Sequence, residues 1–115
     1  MVKIWHNPKC SKSRASLEVL LSSQTKMSIY KYLEESPSIE AIKQVLLKLN
    51  YDAKELMRKS EEIYKELNIE NIDDESVLVQ LLCEHPKLIE RPIVIKGDKA
   101  VIGRPIENVH KLLNS

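Results

Sequence analysis

The residues from His6 to Arg14, "HNPKCSKSR", hold one cysteine between a proline and two serines, with cations on both sides. A cysteine thiolate is the nucleophilic form, and it is favoured at a helix N-terminus and beside Lys, Arg or His, where the thiol pKa falls from ~8.5 into a range of about 3.5–7.5. His6, Lys9, Lys12 and Arg14 all lie within four residues of Cys10. The stretch therefore predicts a reactive thiolate at Cys10. The spacing excludes several other chemistries. A dithiol oxidoreductase needs a second cysteine three positions on, where this chain has Ser13. A C-x5-R phosphatase loop needs an arginine where it has Ser16. No set of Cys and His converges at zinc-ligand spacing. What remains is a single thiolate that an outside thiol must resolve. The other cysteine, Cys83, sits in "SVLVQLLCEH", apolar nearly all round, and is expected to be a buried, inert packing residue.

Three arginines lie far from Cys10 in sequence: Arg58 in "ELMRKSEEIY", Arg91 in "LIERPIV" and Arg104 in "VIGRPIE". A lone arginine is usually a solvated charge. Arg91 and Arg104 differ in that each precedes a proline and stands where strand and helix patterns meet, as sites in open α/β folds do. An Arg–Pro step is biased toward extended backbone and can be cis. A planar guanidinium suits a tetrahedral oxyanion because it donates parallel hydrogen bonds.

The elements that must position these groups follow from periodicity. "VKIW" reads as a strand over about 2–6, and Leu17, Leu20 and Leu21 mark a helix over about 11–23, so Cys10 lies at a strand–helix junction. A second strand is expected at about 26–31, giving a βαβ unit with a parallel pair. A helical block of roughly 55 residues follows, about 36–90. It opens with Ser36 as N-cap and Pro37 at the first helical position, with Ile39, Ile42, Val45, Leu46 and Leu49 as its first buried stripe. Asp52 and Glu55 form a candidate capping box, and further helices are expected around 61–67 and 75–84. Runs at 93–96 and 99–103 around a Gly-Asp pair predict a hairpin, and a last helix starts near Pro105.

Composition narrows the function classes. Lys plus Arg is 18 against 17 for Asp plus Glu, too balanced for a general binder of nucleic acid or anionic membranes. No apolar run is long enough to span a bilayer, and "MVKIWHNPKC" enters a strand pattern without a signal-peptide core, so a cytoplasmic location is expected. The two glycines, Gly97 and Gly103, fit neither a dinucleotide-binding nor a Walker pattern. The length suits one domain, 1–115.

Taken together and in order, "HNPKCSKSR", "LMRKSEEIYKEL", "LIERPIVI" and "GRPIENV" resemble the glutaredoxin-coupled arsenate reductases, from about Val2 to Leu113. The resemblance implies an α/β, thioredoxin-like fold: a small mixed four-stranded sheet with flanking helices and a helical insertion after the second strand. It implies that Cys10 attacks arsenate to form a thiol–arsenic adduct, that His6 assists thiolate formation, and that Arg58, Arg91 and Arg104 hold the oxyanion. It aligns Pro92 with a cis-proline at the site, and Ser13 and Arg14 with structural residues of the catalytic loop. It further implies glutathione as co-substrate and glutaredoxin as partner; no bound cofactor or metal and a monomer are expected. Two departures stand out: the family stretch after the first arginine usually carries asparagine where this chain has Ser60, and many members carry a longer tail. Two other classes remain open on the same fold: a glutathione-dependent thiol reductase of another substrate, and an Spx-type transcription regulator that binds RNA polymerase. Such regulators typically carry C-x-x-C at the loop, which Ser13 interrupts.

Overall fold

A computed structural model describes residues 1–115. The chain forms two compact units, Met1–Tyr32 with Arg91–Ser115, and Leu33–Glu90.

The first unit is built on a four-stranded sheet in the order β2-β1-β3-β4, with β1 Val2–Trp5, β2 Met27–Tyr30, β3 Ile93–Lys96 and β4 Lys99–Ile102. β1 and β2 are parallel, in register Ile4 with Ile29, because helix α1 (Ser11–Ser22) carries the chain back between them. β1 pairs antiparallel with β3, Ile4 opposite Val94, and β3 pairs antiparallel with β4. This is the mixed four-stranded sheet expected from the resemblance. The hairpin turn is Gly97-Asp98, with Gly97 at φ +62, a positive value at the first central position that glycine adopts without a Cβ penalty. Helix α5 (Glu107–Leu113) closes the unit.

Period-2 alternation decides the core. Val2 and Ile4 of β1 and Val94 of β3 pack with Leu20 of α1 and with Val109 and Leu112 of α5. Trp5 projects on the other face, edge-on to Tyr30 with centroids 5.1 Å apart and stacked with Tyr32 at 6.2 Å. The buried stripe of α1 is Ser13, Ser16 and Leu20, so Leu21, expected in that stripe, stands 61 % exposed one step around the helix. Two small serines at the helix start let it approach the sheet end closely, which matters for the site. Lys96 reaches the C-terminal end of α5, donating from Nζ to the carbonyls of Leu113, its last residue, and of Ser115 beyond it, both at 3.0 Å.

The second unit is helical: α2 (Ile39–Leu49), α3 (Glu62–Glu66) and α4 (Glu75–Glu84), with single 3-10 turns at Lys54–Leu56, Ile69–Asn71 and Pro86–Leu88. The N-cap of α2 is Ser38 rather than Ser36: its hydroxyl accepts from the Ala41 amide at 3.1 Å, and Pro37 is buried ahead of the cap instead of opening the helix. Ile42, Val45 and Leu46 are its buried face, while Ile39 at the helix start is exposed. Asp52 and Glu55 do form the reciprocal box, each carboxylate accepting from the other's amide, but around a 3-10 turn instead of a full helix. In α4 the buried residues are Leu78, Val79 and Leu82. Cys83 follows at the margin of that face and is only partly buried, a correction to its expected full burial. No helix is long and apolar enough to cross a membrane.

Candidate active site

The loop from His6 to Cys10 is tied down by short-range bonds. Proline at position 8 biases Asn7 toward extended backbone, and the Cys10 amide then donates to the Asn7 carbonyl at 3.0 Å to close a turn. The Asn7 side chain accepts from the Lys9 amide at 3.0 Å inside the turn. From α1, Arg14 donates through Nη1 to the Pro8 carbonyl at 2.9 Å, and the Ser13 hydroxyl accepts from the Asn7 amide at 3.0 Å. Ser13 and Arg14 therefore brace the loop from the first turn of the helix.

Cys10 occupies the N-cap of α1, with extended backbone at φ −97, ψ 122, and its side chain is nearly covered. Burial by itself would push its thiol pKa up. Against that, the amides of Ser13 and Lys12, the Arg91 charge and a hydrogen bond from Arg104 all favour the thiolate, and the balance falls below the ordinary thiol value. The sulfur is 3.5 Å from Nη2 of Arg104. Arg104 is aimed there by its own Nε, which donates to the Arg91 carbonyl at 2.9 Å.

Arg91 follows a different logic. Its Nε and Nη1 are buried and have no hydrogen-bond partner within the protein. A buried donor left unpaired costs ~1–3 kcal/mol, so a guanidinium kept this way beside a thiolate is set up to receive an anion. Arg91–Pro92 and Arg104–Pro105 are both cis peptides. Pro92 is buried, and its carbonyl accepts from the Gly103 amide at 2.9 Å, which joins the two arginine-bearing segments. At Gly103 a Cβ would collide with the Ser16 hydroxyl and the Pro92 ring, so no other residue fits without displacement. Sequence reasoning passed over Gly103 as a glycine outside any phosphate loop, and a G-R-P triplet beside a helix with small residues was the available signal.

His6 is buried, with Nδ1 2.6 Å from the Ser13 hydroxyl. Burial first, then the Lys31 and Arg14 charges, hold its imidazole below the usual histidine value, so it is neutral near pH 7. Its link to the sulfur runs through Ser13, whose hydroxyl meets His6 and whose amide favours the Cys10 thiolate.

Arg58 belongs to the helical unit. Its backbone pairs with Leu88, the amide donating at 2.7 Å, and its Nη1 donates to the Glu61 carboxylate at 2.6 Å, with Glu90 4.0 Å from Nε. In the same unit, burial first and then the Glu84 charge push the Cys83 thiol up. The first unit thus brings together Cys10, Ser13, His6, Arg91 and Arg104, with Pro92 and Arg14 holding the segments that carry them. The arrangement can stabilise a thiolate and an oxyanion beside it. No group of His, Cys, Asp and Glu has the placement to hold a metal ion.

A sequence profile of the ArsC family matches residues 5–112. The chain belongs to the ArsC family. It is 44 % identical over 114 residues to an arsenate reductase of Haemophilus influenzae, covering 97 % of this chain and 98 % of that protein. It is 40 % identical over 114 residues to an arsenate reductase of Neisseria meningitidis, covering 97 % of both chains. The solved structure of an arsenate reductase from Vibrio cholerae superposes with a TM-score of 0.91 at 45 % identity, over 96 % of this chain and 95 % of that one. Cys10, Arg91 and Arg104 all fall inside the matched span, and the thioredoxin-like architecture described above is the one these ArsC proteins share.

Proposed function

We propose that this ArsC-family protein reduces arsenate to arsenite through a thiol–arsenic adduct on Cys10. The observation that carries the reading is the pair of buried, partnerless nitrogens of Arg91 whose charge, with the Arg104 hydrogen bond, favours the Cys10 thiolate. A thiolate and an arsenate dianion repel one another, and two guanidinium groups offset that repulsion while orienting the oxygens.

The chemistry balances with thiols alone. Cys10 Sγ attacks arsenic, an S–As bond forms and one As–O bond breaks, and the departing oxygen keeps its proton and takes a second from solvent to leave as water. A small thiol then attacks Cys10 Sγ. An S–S bond forms and the S–As bond breaks with its electron pair kept by arsenic, which passes from As(V) to As(III); the thiol proton ends on an arsenite oxygen. A second thiol opens the mixed disulfide and returns Cys10 as the thiolate. Glutathione, with glutaredoxin speeding the last exchange, is the proposed donor, consistent with Cys10 being the sole cysteine of its unit. Arg91 and Arg104 bind and orient the oxyanion, and the Ser13 and Lys12 amides hold the thiolate between turnovers.

Purified protein with arsenate, glutathione, glutaredoxin, glutathione reductase and NADPH tests this reading. Arsenate-dependent NADPH oxidation is expected, abolished in Cys10→Ser and mostly retained in Cys83→Ser. A folded Cys83→Ser variant as inactive as Cys10→Ser would replace the external thiol with an internal one.

A further inference from the structure

Charge is divided unevenly between the two units, which the near balance of the whole chain hides. Of the 18 lysines and arginines, eleven lie in the first unit, against three of the 17 acidic residues. β2 is an outer strand of that unit, paired only with β1. The Val2 amide donates to the Lys26 carbonyl at 3.0 Å and the His6 amide to the Tyr30 carbonyl at 2.8 Å, which turns the even-numbered residues of β2 toward β1. The amides and carbonyls of Met27 and Ile29 therefore point out from the open edge without a partner strand. On the α1 face of the sheet, Ile29 is 47 % exposed and Leu21 of α1 is exposed as well, while Leu17 and Met27 pack against the core. Lys26 and Lys31 bracket the strand, both exposed. The three salt bridges of the protein lie in the second unit, and neither lysine takes part in one.

We propose that the open edge of β2 takes up an extended, acidic segment of a partner protein as a fifth strand. In such strand addition main-chain hydrogen bonds supply affinity, and side chains set which strand is accepted. Lysines on an outer strand ordinarily blunt pairing with a like strand. A second copy of this chain brings the same lysines to the edge and is repelled, whereas acidic residues at the ends of an added strand face Lys26 and Lys31. Alternate apolar side chains of that strand cover Ile29 and Leu21, which the chain itself leaves open. The C-terminal end of β2 adjoins the loop that carries Cys10, because the His6 amide is bonded to the Tyr30 carbonyl. A partner held at the edge is thereby placed beside that loop. The assignment does not depend on what Cys10 attacks.

The probe is a peptide blocked at both ends, Glu-Val-Thr-Ile-Thr-Val-Glu, and the readout is amide hydrogen exchange in the full chain. The Met27 and Ile29 amides are expected to exchange freely in the protein alone and to slow about tenfold or more with the peptide bound. The same peptide with lysine in place of both glutamates should bind about tenfold more weakly, since like charges then face across the pair. Ile29→Pro removes an outward donor that the β1 ladder does not use. It should abolish protection at Met27 while the β1 and β3 amides exchange as in the wild type. Should that variant unfold, Lys26→Glu combined with Lys31→Glu carries the test: it should weaken the glutamate peptide about tenfold and favour the lysine one. Met27 and Ile29 amides left unprotected at the solubility limit of the peptide, or equal binding of the two peptides, would overturn the proposal. Protection that rises with protein concentration alone would overturn it in favour of a second copy. A single-stranded oligonucleotide that binds more tightly than the peptide and leaves the edge amides unprotected would overturn it in favour of a nucleic acid.

Discussion

Replacing Arg91 with methionine separates what that residue does for the fold from what it does for the anion. In the anion-free protein, its Nε and Nη1 are buried without partners. Each unpaired buried donor costs ~1–3 kcal/mol, and removing such a group for an apolar one of similar shape is neutral or stabilising. Arg91→Met should therefore match wild-type stability in urea, or exceed it by up to about 2 kcal/mol. The loop does not depend on the side chain, because Arg104 is held by the Arg91 carbonyl. Function should move the other way. Losing one charge-assisted hydrogen bond costs ~1.5–3 kcal/mol, a tenfold to hundredfold loss in kcat/KM for arsenate. Part of that loss is a thiolate effect, since the Arg91 charge also holds the Cys10 pKa down. Alkylation rate against pH divides the two. The wild type should reach its plateau below the ordinary thiol pKa and the variant at higher pH. Turnover above both inflections leaves only the binding loss. Arsenate at about 100 times its Kd should raise wild-type unfolding free energy by about 2.7 kcal/mol and that of the variant far less. A destabilised Arg91→Met that still turns over arsenate like the wild type would refute the reasoning, because Arg91 would then be a structural residue.

Gly103→Ala should cost about 1–3 kcal/mol of stability by overpacking against Ser16 and Pro92, and should lower activity more than stability by displacing Arg104; urea midpoints and kcat/KM measure both. Lys96→Met should lose about 1 kcal/mol, or about 4 °C in melting temperature, because it removes the cation at the C-terminus of α5. His6 has a folded-state pKa below its unfolded value near 6.5, so the unfolded chain takes up the extra proton. Its contribution to stability is complete above that value and is lost as pH falls through and below it. Urea titrations at pH 7.5 and 5.5 should show this loss, reduced in His6→Gln.

The elements were legible where burial and backbone chemistry agree. β1, α1 and the hairpin follow from alternation, from leucine spacing and from Gly97-Asp98, and α4 spans the expected 75–84. The misreadings share a cause. Ser36 and Ser38 carry the same side chain, and only the chain path decides which hydroxyl meets a free amide. Leu21 and Cys83 each lie one step around a helix from a buried face whose width depends on what packs against it. At the site, the sequence shows Cys10 ahead of a helix and two arginines each before a proline, and four motifs carry the resemblance to arsenate reductases. What the residue types could not give is how each arginine is used. Arg91 keeps Nε and Nη1 buried and open, Arg104 is steered by a backbone carbonyl, and Arg58 is held by Glu61 and Glu90. The role of Ser13 as a link between His6 and the loop was equally hidden, because a hydroxyl in a helix gives no sign of its partner in a strand end.

The most direct test of the Cys10 chemistry is a single turnover. Reduced protein in excess over arsenate is mixed with glutathione, the arsenic species are separated and counted, and the protein is weighed intact. The account predicts that arsenate is converted to arsenite, that an equal amount of protein gains one glutathione at Cys10, and that Cys10→Ser does neither. Arsenite formed at the same rate by Cys10→Ser, or a wild type that gains glutathione while arsenate remains unreduced, would contradict it.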